Sequence, residues 1–151
     1  MKFSLILFTV VGLAFSAHAG VKSEKAKRGL IETFSKNAES VTDCGKKFKL
    51  TYDFKSLDSI AWTADKKRDD QYPYEMSSVK EIGKGINKVC ADPDYKQALQ
   101  AVDEIIYQPT GNDKITVSGK VTGKTLYIEN FTFGSTRGAS DYEKAIKTAL
   151  D

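Results

Sequence analysis

The clearest β-strand in the sequence reads Lys47-Phe48-Lys49-Leu50-Thr51-Tyr52-Asp53-Phe54. Polar and apolar residues alternate strictly along residues 47–54, so every second side chain points to the same face of the strand. That face carries Phe48, Leu50, Tyr52 and Phe54. Such a face has to be buried against another layer of secondary structure. The stretch therefore predicts one strand of a sheet that packs on an apolar layer.

Helical periodicity lies on both sides of this strand. Apolar residues three and four positions apart predict a helix over residues 21–41 that ends at Cys44-Gly45, and a second helix over residues 75–90. Residues 55–74 have no clear period and are densely charged in the middle. We interpret them as a long surface connection, with a short helical turn near residues 57–62.

The remaining helices are predicted from their first residues. Asp92 can cap a short helix, and Pro93 suits the first helical position. Ser140 and Glu143 have the spacing of a capping box, which predicts a helix that runs to the end of the chain.

Three further strands complete the predicted domain, over residues 104–108, 114–121 and 124–133. A break at residues 109–113 and a tight turn at Thr122-Gly123 favour a three-strand meander. The element order is α-β-α-α-β-β-β-α. It predicts an α+β domain with a mostly antiparallel four-stranded sheet and helices packed on one face.

The first nineteen residues have the pattern of an export signal. Lys2 precedes a mainly apolar run over residues 3–15, and Ala17 and Ala19 stand at the −3 and −1 positions of a cleavage site. We expect cleavage after Ala19, which leaves residues 20–151 as a single domain in the periplasm or outside the cell. The apolar run is too short to remain as a stable membrane anchor.

The charge balance and the two cysteines indicate which kinds of partner and which kind of disulfide to expect. Without Lys2, the chain has 22 basic and 20 acidic residues, a balance that does not favour nucleic acid as a partner. The two cysteines, Cys44 and Cys90, would reach an oxidising compartment after export. We therefore expect a structural disulfide between them, since their spacing is not that of a redox-active pair.

Few catalytic signatures are present. His18 is the only histidine and would be removed with the signal, which argues against imidazole catalysis and histidine-containing zinc sites. Ser77 and Lys80 have the spacing of a Ser-Lys pair, but the accompanying motifs of such enzymes are missing. Carboxylates such as Asp92 and Asp94 lie in polar segments that make poor general acids. No cofactor or metal site is predicted.

Aromatic residues supply the positive hypothesis. Trp62, Tyr72 and Tyr74 lie in or beside the charged connection, and such loops are common recognition surfaces. These three residues could contact a protein, glycan or small-molecule partner; alternatively, Trp62 and Tyr74 could close the edge of the core under a loop. Two function classes follow: a non-enzymatic exported binding protein, or a small hydrolase that uses carboxylates or the Ser77–Lys80 pair.

Overall fold

The computed structural model describes the backbone of residues 14–60, 68–133 and 136–151, and the side chains of these residues except 14–23 and 68–71. The helices and strands within these ranges are α1 (Ala14–Glu39), β1 (Lys49–Tyr52), α2 (Phe54–Ser59), α3 (Arg68–Cys90), α4 (Pro93–Gln100), β2 (Glu104–Thr110), β3 (Val117–Thr122), β4 (Thr125–Phe131) and α5 (Ala139–Leu150). None of these helices combines the length and the apolar character needed to cross a lipid bilayer. The fold is α+β, as predicted.

The four strands form one mixed sheet in the order β1-β2-β4-β3. β1 and β4 both run parallel to β2, whereas β3 runs antiparallel to β4. The predicted hairpin between β3 and β4 is confirmed, and Gly123 adopts a φ of 59° in its turn. The predictions of a mostly antiparallel sheet and of a meander are wrong, because β4 lies beside β2 where β3 was expected.

The burial of the strands explains this order. Leu126 and Ile128 of β4 are fully buried, as are Ile105 and Tyr107 of β2. β3 contains no buried residue, and its Lys120 is exposed. The more apolar strand therefore takes the central position, while the polar strand takes the edge, where a lysine side chain reaches water.

Helices α1, α3 and α5 form a layer on one face of this sheet. The ring of Phe34 in α1 lies 5.5 Å from that of Tyr52 in β1 and 6.1 Å from that of Tyr107 in β2. Glu75 of α3 contacts Tyr52, and Tyr142 of α5 contacts Tyr107. Leu57 of α2 and Leu99 of α4 join the same core. The apolar layer that residues 47–54 require is thus supplied by helices.

Helix α5 passes very close to β3 at Gly119. A Cβ atom built on Gly119 would lie 2.6 Å from the carbonyl oxygen of Ala145 and 2.9 Å from Cβ of Ala149. Neither atom is the end of a flexible side chain, so a methyl group at this position requires the helix itself to move.

We expect Gly119→Ala to lower the free energy of unfolding by about 1–3 kcal/mol, because α5 must shift away from the sheet. Urea unfolding followed by circular dichroism measures the change. Gly29→Ala in α1 is the matched control, since its new Cβ would meet only Met76 Sδ at an ordinary 3.7 Å. That variant should be neutral or slightly more stable. Equal stability of both variants would contradict the close-packing interpretation.

The boundaries around β1 and α3 differ from the prediction. Asp53 Oδ1 accepts hydrogen bonds from the N–H groups of Lys55 and Ser56 at 3.0 and 3.1 Å, so Asp53 caps α2 and β1 ends before it. The predicted surface connection over residues 55–74 is therefore partly helical, because α2 begins at Phe54 and α3 begins at Arg68. Pro73 lies inside α3 and does not mark a boundary.

The cap predicted at the start of α4 is confirmed, whereas the cap predicted for α5 is not. Asp92 caps α4 as predicted, with the N–H of Asp94 donating to Asp92 Oδ1 at 3.3 Å. The capping box predicted for α5 is wrong. The helix is capped instead by Gly138, whose N–H donates to Asp141 Oδ2 at 2.9 Å. Ser140 and Glu143 both contact Lys88 of α3, so their side chains join two helices.

The predicted disulfide between Cys44 and Cys90 is present, with the two Cα atoms 4.9 Å apart. It joins the loop before β1 to the end of α3. Asn87 reinforces the attachment: its Oδ1 accepts from the N–H of Thr42 at 3.1 Å, and its Nδ2 donates to the carbonyl of Ser40 at 2.9 Å. The bond is compatible with an extracellular location.

Candidate functional site

The three aromatic residues predicted to contact a partner do not share one environment. Tyr74 is 47% exposed, whereas Tyr72 is 3% exposed and belongs to the core. Trp62 lies outside the described residues. Tyr74 is thus the member of this set that the structure presents to solvent, and it lies on α3 and not on a loop. A contact through it stays a prediction.

The residues considered for catalysis are poorly placed for it. Lys80 is exposed and Ser77 is half-buried on α3, so this pair lacks the desolvated lysine that a Ser-Lys base requires. Asp92 hydrogen-bonds to Lys147 Nζ at 3.1 Å, and this bond lowers the pKa of its carboxyl group. Across the described ranges, no three histidine, cysteine, aspartate or glutamate side chains come together as metal ligands.

A buried carboxylate, Glu75 of α3, lies in the centre of the core and was missed by the sequence analysis. It is 1% exposed. The hydroxyl of Tyr52 donates to Glu75 Oε1 at 2.9 Å. Tyr107, Asn130 and Arg137 also lie beside the carboxyl group and favour its ionised form. Strands β1, β2 and β4 and the segment before α5 therefore all contribute to its surroundings.

Two further residues extend this group. Ser78, one turn along α3 from Glu75, accepts a hydrogen bond from the N–H of Arg137 at 3.1 Å. Tyr142 of α5 packs its ring 6.3 Å from that of Tyr107. We call the whole set the Glu75 cluster: Tyr52, Glu75, Ser78, Tyr107, Asn130, Arg137 and Tyr142.

The electrostatics of the cluster follow from its burial. Burial raises the pKa of Glu75 to about 7, although the Tyr52 and Tyr107 hydroxyls, the Asn130 amide and the Arg137 guanidinium act in the opposite direction. Burial and the nearby Glu75 charge raise the pKa values of Tyr52 and Tyr107 well above the ordinary value. A pKa of about 7 means that the Glu75 carboxyl group is close to half-ionised near pH 7, while the hydroxyls of Tyr52 and Tyr107 stay neutral.

Several polar atoms of the cluster are buried without a hydrogen bond of ordinary geometry in the structure. They are Glu75 Oε2, Tyr107 OH, Asn130 Oδ1 and Tyr142 OH. Tyr52 ends β1, and Asn130 stands next to the end of β4, so the cluster lies toward the carboxyl ends of parallel strands. Parallel sheets often bind ligands at that edge. Here the polar atoms of the Glu75 cluster are closed off from solvent, so a ligand does not contact them directly.

A second candidate is the face of the sheet that no described helix covers. On this face, alternate residues of β2 and β4 are half-buried, whereas their neighbours on the helix-covered face are buried. Strand register places Ile106, Tyr127 and Lys120 in one row and Gln108, Glu129 and Ser118 in the next. These two rows form the central part of what we call the open face.

A groove of about 430 Å³ runs across the open face. Its lining residues are Gln108, Ser118, Gly119, Lys120, Thr122, Tyr127 and Glu129. Gln108 Nε2 donates to Asp53 Oδ2 at 3.1 Å, which fixes the amide at one end of the groove. Lys120 is exposed in β3, and none of the ion pairs between described residues includes it. The groove combines an aromatic side chain, an amide, hydroxyl groups and one charge of each sign.

Comparison with known proteins adds no assignment. No protein-family model, no curated protein and no solved structure matches the chain. The Glu75 cluster and the open-face groove are two features of the described residues that bear on function.

Proposed function

We propose that this protein is exported and acts as a non-enzymatic binding domain, with the open face of the sheet as its contact surface. The observation that supports this proposal is the groove around Tyr127, which lies on the face that no described helix covers. A tyrosine among amide, hydroxyl and charged groups is typical of recognition surfaces. Export is supported by the signal-like residues 1–19 and by the disulfide.

A small hydrolase is the alternative, and Glu75 is the observation in its favour. A carboxyl group with a pKa near 7 suits general acid or base catalysis. However, Glu75 is sealed from solvent, and it is the one carboxylate among the buried polar side chains of the described residues. A substrate would have no accessible acid, so the binding proposal accounts better for the arrangement.

Affinity capture tests the proposed function. The chain from Gly20 is immobilised, exposed to the native extracytoplasmic fraction, and the retained molecules are identified by mass spectrometry. We expect a partner that is retained by the wild type and reduced at least tenfold by Tyr127→Ala with Lys120→Glu. Tyr74→Ala is made in parallel to test the alternative contact through the predicted aromatic set, because Tyr74 is exposed on α3.

Three results would contradict parts of this proposal. An unchanged profile for the open-face variant would remove that face as the contact surface. Loss of the partner in Tyr74→Ala alone would place the contact on the aromatic set predicted from the sequence. An N-terminal sequence of the natural product that begins at Met1 would contradict removal of an export signal.

A further inference from the structure

We propose that the open-face groove binds an uncharged saccharide, with Tyr127 as the platform for a sugar ring. This inference rests on the proposed function and names the chemical class of the ligand. It is supported by three properties of the groove: its size, its balance of charge, and the position of Tyr127 beside the polar side chains of the groove.

The size of the groove fits a small ligand. Its volume of about 430 Å³ lies within the range of small-molecule sites, roughly 300–1,000 Å³. A stable protein interface needs about 800 Å² from each partner, far more than seven lining residues supply. One or two sugar rings fill such a groove, whereas a folded protein would have to extend well beyond it.

The balance of charge favours a neutral ligand. Lys120 and Glu129 are on adjacent strands and stand one row apart in the register, so the groove carries one positive and one negative group. A strongly anionic ligand would meet Glu129, and a cationic ligand would meet Lys120. A ligand with many hydroxyl groups avoids both conflicts, because each hydroxyl can donate to a carboxylate and accept from an ammonium group.

The aromatic ring of Tyr127 supplies the apolar contact for the sugar. Tyr127 lies in register between Ile106 of β2 and Lys120 of β3, with Glu129 two residues further along the same face. A pyranose ring has a face of C–H groups and a rim of hydroxyls. Packed on the aromatic ring, it would direct its rim toward Gln108, Lys120 and Glu129. Aromatic side chains with polar neighbours suit such half-apolar ligands.

A glycan array tests the inference directly. The labelled chain from Gly20 is applied to printed neutral, acidic and basic oligosaccharides. We expect retention on neutral oligosaccharides only, with affinity lowered about tenfold or more by Tyr127→Ala. Tyr127→Phe should keep most of the binding, because it keeps the aromatic ring. Ile31→Ala, which removes an exposed apolar side chain on α1, should bind as the wild type does.

Urea unfolding of each variant shows whether it is folded, so that a lost fold is not read as lost binding. Absence of binding to every printed oligosaccharide, or equal binding by Tyr127→Ala, would overturn the inference. Selective binding of acidic glycans that Lys120→Ala abolishes would also overturn it. The proposed function would survive these results if capture of a non-glycan partner still depended on the open face.

Discussion

Wild-type protein with the Cys44–Cys90 bond intact is expected to unfold with a free energy about 4 kcal/mol higher than the Cys44→Ala/Cys90→Ala variant. The bond closes a long loop, because the two cysteines are separated by 46 positions in the sequence, from 44 to 90. It limits the conformations of the unfolded chain, and that loss of entropy in the unfolded state is the main source of its effect. Alanine is the suitable replacement because both sulfur atoms lie in the core, where a serine hydroxyl would be buried.

Urea unfolding with and without a reducing agent measures this contribution. Reduction should remove most of the difference in the free energy of unfolding between the wild type and the double variant. The double variant itself should unfold in the same way with and without the reductant. The Gly29→Ala variant, which keeps both cysteines, is the matched control for sensitivity to the reductant. Identical unfolding of oxidised and reduced wild type would contradict the prediction and show that noncovalent contacts, such as those of Asn87 and Gln100, hold the loop without the disulfide.

Glu75→Gln is expected to abolish a fall in stability that the wild type shows between about pH 4.5 and pH 8. The pKa of Glu75 is about 7 in the folded protein and 4.5 as its ordinary value. A raised pKa means that the folded state holds the proton more tightly, so this group stabilises the fold fully below pH 4.5. The contribution is lost as the pH rises through 7, and the difference amounts to about 3 kcal/mol.

Glutamine has nearly the same shape as glutamic acid and no charge, so it can keep the hydrogen bond from Tyr52 at every pH. The variant should therefore be more stable than the wild type at pH 8, by up to about 3 kcal/mol. Urea unfolding over this pH range provides the measurement. Glu81→Gln is the control, because Glu81 is on the same helix but pairs with Lys84 near the surface. A flat wild-type profile, or an equal fall in Glu75→Gln, would contradict the prediction.

Local structure was predictable where one principle dominated. The period of the apolar residues identified α1, the later part of α3 and strand β1, and Asp92 marked the start of α4. Prediction failed where a side chain had two competing uses. Asp53 continues the alternating pattern of a strand, yet its carboxylate caps α2. Ser140 and Glu143 have the spacing of a capping box, yet both contact Lys88.

Strand order was not predictable from local patterns. A short connection between consecutive strands favours a meander, and residues 111–116 are short enough for one. What decides the order is which strand has the larger apolar face for the helix layer. Leu126 and Ile128 give β4 that face, while Gly119 in β3 only leaves room for α5. The apolar faces of β3 and β4 can be compared in this way only when the packing of the helices on the sheet is known.

The Glu75 cluster could have been found in part. Tyr72, Glu75, Val79, Ile82 and Ile86 follow one another at helical spacing, so the sequence places Glu75 on the apolar stripe of its helix. A glutamate on such a stripe indicates a carboxyl group that is buried in the core. Its partners could not have been predicted, because Tyr52, Asn130 and Arg137 are distant in sequence and meet only in the folded sheet.

An uncovered face of the sheet was predictable from the sequence, but the residues that lie together on it were not. Alternation in residues 47–54 indicated a sheet with one covered side. The groove, however, requires Gln108, Lys120 and Tyr127 to be neighbours, and the meander would have placed β3 between β2 and β4. The change of strand order therefore creates the row in which Tyr127 lies between Ile106 and Lys120.

The place of β4 between two earlier strands has a consequence for how the chain reaches its native state. A chain that is synthesised from its amino end delivers β2 before β4, so one edge of β2 stays without a partner until residues 125–131 have been added. Because β4 is the last of the described strands and lies between β2 and β3, the centre of the sheet can close only after both edge strands exist. Until then the unpaired edge of β2 is a strand edge that could pair with another chain.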